Sequence, residues 1–417
     1  PEADYEIVGL PGIFFFFALL WGYLDARRKP IVWIVLVAYG VRVFAAIVNL
    51  YVVEFPGHRW GDAATFENRA WMLANLPWEA FLDALQIGDP YYTYGWIVGL
   101  IYRAVGRAVL VPHALNAFLG AVVVYYVFKT TRILWGETAA VRAMCVAALF
   151  PSFLHYHSIL LREVWVALGF TLSIYFFAKY LYERRSLYNA LLSLLAMGFA
   201  TIFHGGMIAG LAGLLLYFFW RFSRLWYDLT LRTTGASRTE FVGATLLVSI
   251  ALPLLIYGLT VGVSVNKVGN LRQLAQPEAF VESAIQVAQS RTRGGASYPS
   301  FLSLQEVSDI AVKTIPRTIY FLFSPFPWDV SKPVHAVAMI DSLIYLLLFI
   351  YIFSSFGNIS IEDKYLIVVV LLPLLIAFSI GSSNFGAAMR HRAKIASLII
   401  CLFPVFPAIR ILRQKEQ

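Results

Sequence analysis

Residues 31–53 read IVWIVLVAYGVRVFAAIVNLYVV, an apolar run with one ionisable side chain, Arg42, near its middle. The hydrocarbon of a bilayer holds no water to satisfy an open backbone, so a crossing segment is a helix of ~20 mostly apolar residues. This run meets that requirement. Outward from it, comparable stretches lie at 7–24, 113–128, 139–156, 163–181, 187–203, 206–223, 241–263, 336–356, 365–381 and 394–410. Composition agrees, with 60% of the 417 residues hydrophobic and 14% charged, where soluble domains carry about 25% charged residues. A single soluble core stops growing near ~250–300 residues and could not bury so much apolar surface. The chain therefore reads as an all-α polytopic membrane protein with eleven transmembrane helices. Cys145 and Cys401 sit in separate apolar runs, which excludes a disulfide framework and a zinc site.

Basic residues follow the first (Arg27, Arg28, Lys29), third (Lys129, Arg132), fifth (Arg184, Arg185), seventh (Arg221, Arg224) and last (Arg410, Arg413, Lys415) spans. Eleven crossings put these places on one face, which the positive-inside tendency makes cytoplasmic. The chain starts with Pro rather than Met, so Pro1 is not taken as its true start. Two long connections, 54–112 and 264–335, then lie outside. In the first, 93–106 is short and carries Arg103, which suits a re-entrant or interfacial helix. In the second, Val281, Ala284, Ile285 and Ala288 share a helical face within 278–291. Ser303 with Glu306 forms a capping box for a helix expected to end near Ile315, ahead of Pro316. Both pieces are expected on the membrane surface. Residues 1–417 are read as one membrane-embedded catalytic domain, without repeats or linkers.

Polar chemistry collects on the outer side. His58, His113, His155, His157, His204, His335 and His391 all fall at or beyond outer span ends in this topology. The sharpest cluster is GDAATFENRAW, 61–71, where Asp62, Phe66 and Arg69 share a helical face and Glu67 lies alongside. The plain alternative makes Asp62 an N-cap bonded to the Thr65 amide. The second cluster, PSFLHYHS at 151–158, leads into Arg162-Glu163, which could equally be a local ion pair that fixes a turn. His204-Gly205-Gly206 interrupts an apolar run, where a tight turn with positive-φ glycine is the simple account. The third cluster, NFGAAMRHR at 384–392, sets Arg390, His391 and Arg392 in a short outer loop. Arginine forks suit phosphate oxygens, either of a substrate or of lipid headgroups. Arg317 and Lys332 flank FLFSPFPWDV and add to the same positive field. No P-loop, GxSxG, HExxH or Rossmann fingerprint is present. A net charge of +9 does not imply nucleic acid in a membrane protein.

An acidic residue after an early span, an acidic turn near the fourth and a basic cluster near the last resemble the GT-C superfamily, integral-membrane glycosyltransferases that use polyprenyl-phosphate-linked sugars. Residues 61 to about 180 look like its protein O-mannosyltransferase and lipid A aminoarabinose transferase members. The resemblance implies that Asp62 is the catalytic acidic residue and Glu163 the second outer acidic position. Gly88-Asp89-Pro90-Tyr91-Tyr92 is similar to the Pro-Tyr motif that closes the first outer loop, and FGAAMRHR to an arginine-bearing segment of bacterial polysaccharide enzymes. Asp62 is followed by Ala63 where an Asp-Glu pair is common, and it follows the second span rather than the first. A divalent cation, Mg or Mn, is left open, with no metal ligand assigned.

The expected reaction is inverting transfer of a sugar to an acceptor hydroxyl of a glycan, lipid or protein on the extracytoplasmic side of a bacterial inner membrane. Asp62 is the base, and Arg390, Arg392, Arg162 and His391 meet the donor phosphate. Arg69, Glu67, His155, His157, His204, Tyr91 and Arg317 are the expected substrate contacts, with Glu163 and the histidines orienting acceptor or base. The nearest rival is an O-antigen-polymerase or ligase-like enzyme acting on undecaprenyl diphosphate. A lipid-linked glycan transporter and a non-catalytic membrane subunit are the further alternatives.

Overall fold

Residues 31–53 fall almost wholly within a helix, Lys29–Tyr51, and most of the other apolar runs are helical as well. The computed structural model describes residues 2–24, 29–54, 61–87, 89–183, 185–231, 296–354, 357 and 359–403. Between 241 and 289 it describes 241–243, 245–246, 249, 264–265, 269–270, 285–286 and 289. Six described helices are long and apolar enough to cross a membrane by length and composition, or seven if a pair bent by 54° is one span. The runs at 7–24 and 187–203 form apolar helices below spanning length, Gly9–Tyr23 and Leu187–Phe203. Most of 241–263 and all of 404–417 lie outside the described residues. Besides helix there is a minimal antiparallel ladder, Ser264–Val265 with Gly269–Asn270.

The Cα positions form two compact units. The first comprises Pro1–Thr171 and Ala393–Gln417. Its helices are α1 (Glu2–Tyr23), α2 (Lys29–Tyr51), α3 (Asp62–Ala74), α4 (Trp78–Asp83), α5 (Pro90–Val105), α6 (Leu110–Trp135), α7 (Glu137–Leu149) and α8 (Pro151–Ser158), with the start of α9 (Glu163–Tyr182). Arg42, the charge in the middle of α2, has a structural explanation. Pro151 has no N–H to give the Ala147 carbonyl four residues before it, and α7 breaks into α8 there. The buried Arg42 guanidinium supplies the missing donors, Nη1 to Ala148 O at 3.0 Å and Nη2 to Ala147 O at 3.2 Å. Gly120 on α6 makes room, since a Cβ there would sit 2.9 Å from Arg42 Cδ.

The second unit is Leu172–Arg392. It holds α10 (Leu187–Phe203), α11 (Ile208–Leu231), α12 (Val307–Phe323), α13 (Pro333–Ser354), α14 (Ile361–Gly381) and the first turns of α15 (Phe385–Leu402). Proline again disturbs a ladder. Pro373 has no N–H for the Val369 carbonyl, and the preceding segment Leu366–Leu371 adopts π geometry. The Val369 oxygen points at Gly213 of α11, where a Cβ would lie 1.9 Å from it.

Several local expectations are corrected. Asp62 is the first residue of α3, and Gly61 is the cap without a side-chain cap bond. Residues 93–105 fall in α5, a helix as expected and not one of crossing length, which packs along α3 as a helical hairpin. There Arg103 Nη1 donates to the Ala74 carbonyl at 3.0 Å. α12 is capped by Glu306 with Asp309 rather than Ser303 with Glu306. Ser303 is occupied elsewhere: its amide closes the 3-10 turn of Ser300 and its carbonyl accepts Lys313 Nζ at 2.7 Å. α12 also runs through Pro316 to Phe323, because Arg317, one residue on, is locked into tertiary contacts described below. Of 278–291 only Ile285, Gln286 and Gln289 are described. Ile285 is buried against Leu304 with Ile310 and Ile380, and the other three residues of the expected face, Val281, Ala284 and Ala288, lie outside the described residues. The expected outer loop with Arg390, His391 and Arg392 is instead helix α15. Asn384 starts it as an N-cap, its Oδ1 accepting the Ala387 amide at 2.7 Å. His204-Gly205-Gly206 does turn the chain, but neither glycine has positive φ. Gly206 serves close approach: a Cβ there would meet Phe378 at 2.8 Å and His204 at 3.1 Å.

Candidate active site

In the first unit the helix that begins with Asp62 packs against the turn between α8 and α9 that carries Arg162 and Glu163. Asp62, partly exposed, opens α3, where the positive helix end favours a carboxylate. One turn later the buried Phe66 ring lies under the Arg162 guanidinium, 5.5 Å from its centroid, and edge-on to Tyr94 at 5.1 Å. α3 and the Arg162-Glu163 turn are therefore neighbours. Asn116 on α6 holds that turn. Its Nδ2 donates to the carbonyls of Ile159 at 2.9 Å and Leu161 at 3.0 Å and to Tyr94 Oη at 3.1 Å, while its Oδ1 accepts Trp165 Nε1 at 3.2 Å. All of its polar capacity except one lone pair is used.

Arg162 and Glu163 are both about 1% exposed. Lys394, on α15, brings Nζ to 3.5 Å from Glu163 Oε1 and is equally buried. The Glu163 carboxylate is also within electrostatic reach of His157 and Tyr94. His157 is fully buried and stacks on Phe153 at 4.7 Å, with neither ring nitrogen hydrogen-bonded among the described residues. His155 packs edge-on to Tyr156 at 4.6 Å.

Two other first-unit candidates, Glu67 and Arg69, have partners of their own. Glu67 pairs with Arg107 at 2.9 Å. Arg69 lies over the Tyr92 ring, 4.2 Å from its centroid. Tyr91 is in α5, and its side chain is outside the described residues, as is all of His58.

In the second unit, His204 and His391 are edge-on neighbours 4.9 Å apart, and His391 stacks on Phe378 at 5.1 Å. Arg390 is partly buried. Arg317 and Arg392 are both engaged by other groups of the second unit. Arg317 is buried and gives Nε to Ser379 O at 3.1 Å, Nη1 to Leu302 O, and Nη2 to Ile380 O at 3.0 Å and Ser382 O. It closes the C-terminal end of α14, where carbonyls lack intrahelical partners. Arg392 gives Nη1 to Leu322 O and Nη2 to Ser342 Oγ at 3.1 Å, lies 3.8 Å from Asp341 Oδ2, and covers the Tyr345 ring at 5.0 Å. The neighbouring Tyr298, in the connection before α12, is buried, and burial pushes its phenol pKa up.

The sequence reading missed Asn116, Lys394 and Asp341. A signal existed for Lys394 and Asp341: each is an ionisable residue inside an apolar stretch, which in a membrane protein marks a partner. Asn116 in the 113–128 run carried the same hint. Among the described residues no group of three His, Cys, Asp or Glu side chains comes together to hold a metal ion.

Apolar helices of crossing length, with the charges of Arg162, Glu163 and Lys394 buried in the first unit, define a membrane-embedded helical protein. Residues 41–268, more than half of the chain, match the family described as dolichyl-phosphate-mannose-protein mannosyltransferase. The chain belongs to that family, a GT-C family, and is a membrane glycosyltransferase that uses a lipid-linked sugar donor. Comparison with curated proteins returned no similar sequence. Asp62, Glu67, Arg69, Tyr91, His155, His157, Arg162, Glu163 and His204 fall inside the matched segment, and Arg317, Arg390, His391, Arg392 and Lys394 fall beyond it.

Proposed function

We propose that the protein moves one sugar from a polyprenyl-phosphate carrier to an acceptor hydroxyl on the outer face of a bacterial inner membrane, with inversion at the anomeric carbon. One observation carries the reading: α3, which begins with Asp62, packs through Phe66 against Arg162, so the carboxylate's helix and the Arg162-Glu163 turn are built together. Both lie in the segment that matches the family. With eleven spans and the basic loops inside, both also face outward.

Asp62 accepts the acceptor hydroxyl's proton as its oxygen attacks the anomeric carbon. The new C–O bond forms as the carbon–oxygen bond to phosphate breaks, and the electron pair leaves on the polyprenyl phosphate. Arg162 is assigned to that developing negative charge, a role the expectation gave mainly to Arg390 and Arg392. Arg392 and Arg317 are engaged by carbonyls and Asp341, which favours a structural role for both. Glu163 orients the acceptor. The acceptor is a hydroxyl on a glycan, lipid or protein, and the family description favours a single sugar on a monophosphate carrier over block transfer from a diphosphate.

Purified protein with polyprenyl-phosphate mannose and a panel of hydroxyl acceptors tests this. Wild type is expected to give a product of inverted anomeric configuration, and Asp62→Asn none while keeping its thermal midpoint. An active Asp62→Asn removes the base assignment. Repeating the assay with EDTA, then with Mg2+ or Mn2+ restored, reads whether a cation shares the reaction.

A further inference from the structure

Glu163 and Lys394 come from helices far apart in the chain and meet in the interior of the first unit, 3.5 Å apart with neither exposed beyond 1–2%. Around Lys394 the α15 neighbours Ala393, Ile395 and Ala396 are all buried and apolar. Withdrawing two charges from water carries a penalty of several kcal/mol per ion, and the attraction between them does not always repay it. Packed apolar side chains would hold two helices at lower cost. A pair kept ionic at such a place needs its charge or its direction for something else.

We propose that Lys394 is a positioning residue for transfer: through their ion pair it holds the Glu163 carboxylate and aims it at the acceptor. The inference rests on the assignment of Glu163 made above. Lys394 lies beyond the segment that matches the family, so the match gives it no role. The residue type fits. A lysine ammonium is a compact charge with three rotatable donors, able to hold a carboxylate through a single contact. An arginine fork would tend to take both oxygens.

Four variants, Lys394→Met, Lys394→Arg, Glu163→Gln and the double Glu163→Gln/Lys394→Met, are compared for kcat, donor KM and thermal midpoint in detergent. Lys394→Met should lose about tenfold or more in kcat with donor KM within about twofold of wild type, the mark of a group acting on the reacting geometry rather than on donor binding. Lys394→Arg should recover part of the lost kcat. The double variant should match Glu163→Gln alone, since residues acting as a unit are not additive. It carries no uncompensated buried charge, so it remains informative if Lys394→Met does not fold. A raised donor KM with unchanged kcat in Lys394→Met overturns the proposal and makes the ammonium a donor ligand. Additive losses in the double variant overturn it as well. A fully active Glu163→Gln overturns the assignment of Glu163 itself, and the proposal with it. Loss in Glu163→Gln beside a wild-type Lys394→Met overturns the proposal alone.

Discussion

The two units bury cations in different company. In the second, Arg317 faces backbone carbonyls at the end of α14, and Arg392 is held by the Leu322 carbonyl near the end of α12, the Ser342 hydroxyl and Asp341. In the first, Arg162, Glu163 and Lys394 face ionisable and aromatic side chains beside the helix that starts with Asp62. A guanidinium with its N–H groups filled by carbonyls has little left to offer a substrate. The lesson is that an arginine cluster in a membrane sequence is not by itself a phosphate site, because helix ends in a low-dielectric interior need donors as much as ligands do. Arg42, which meets the carbonyls at the break between α7 and α8, is the first unit's own example of the structural use.

The comparison breaks first at activity. Asp62→Asn should reduce transfer by about 10²–10⁴-fold, the usual contribution of a general base, with the thermal midpoint unchanged. The second-unit arginines should do the reverse. Removing one partner of a buried pair costs about 3–5 kcal/mol, so Arg392→Ala should sharply lower the midpoint and the yield of folded protein. Any protein that survives should keep its donor KM. A stable Arg392→Ala with weakened donor binding would restore Arg392 to the phosphate. Gly213→Ala should cost about 1–3 kcal/mol through overpacking, because the new methyl meets the Val369 oxygen. Gly198→Ala, with nothing within 4 Å, should be neutral or slightly stabilising, since alanine is the better helix former. Equal midpoints for the two variants would remove the account of the π segment.

The smallest effect is at the cap of α12. Hydrogen bonding to Lys313 and to the Gln305 and Glu306 amides lowers the Asp309 pKa to about 2. A depressed folded-state value stabilises the fold above the unfolded value of 3.8 and loses that contribution as pH falls toward about 2. The midpoint of wild type should therefore exceed that of Asp309→Asn at neutral pH, and the gap should close between about pH 4 and pH 2. A gap that persists at pH 2 would mean that the cap does not depend on the charge.

Local patterns carried much of this in advance. The α2 run needed only its own hydropathy, and so did the runs that became α6, α9, α11 and α13. Asp62 and the Arg162-Glu163 turn stood out as charges beside apolar helices. The cap of α12 was misplaced because Ser303 and Glu306 fit the same spacing that Glu306 and Asp309 fill, and spacing alone does not show that the Ser303 amide is already used by a 3-10 turn. The stop at Pro316 failed because a proline removes one hydrogen bond, while Arg317 beside it makes several with distant carbonyls.

What the sequence determined by itself was the solvent: twenty-residue apolar runs decide in favour of a bilayer wherever they end up packing, because transfer of a helix into hydrocarbon is a sum over its own residues. What the tertiary structure decided was the employment of each charge. Whether an arginine meets a carbonyl, an aspartate or a substrate depends on which distant segment folds against it, as Lys394 against Glu163 and Arg392 against Leu322 show. Electrostatic pairing falls off over a few ångströms of space, and no window along the chain measures that distance.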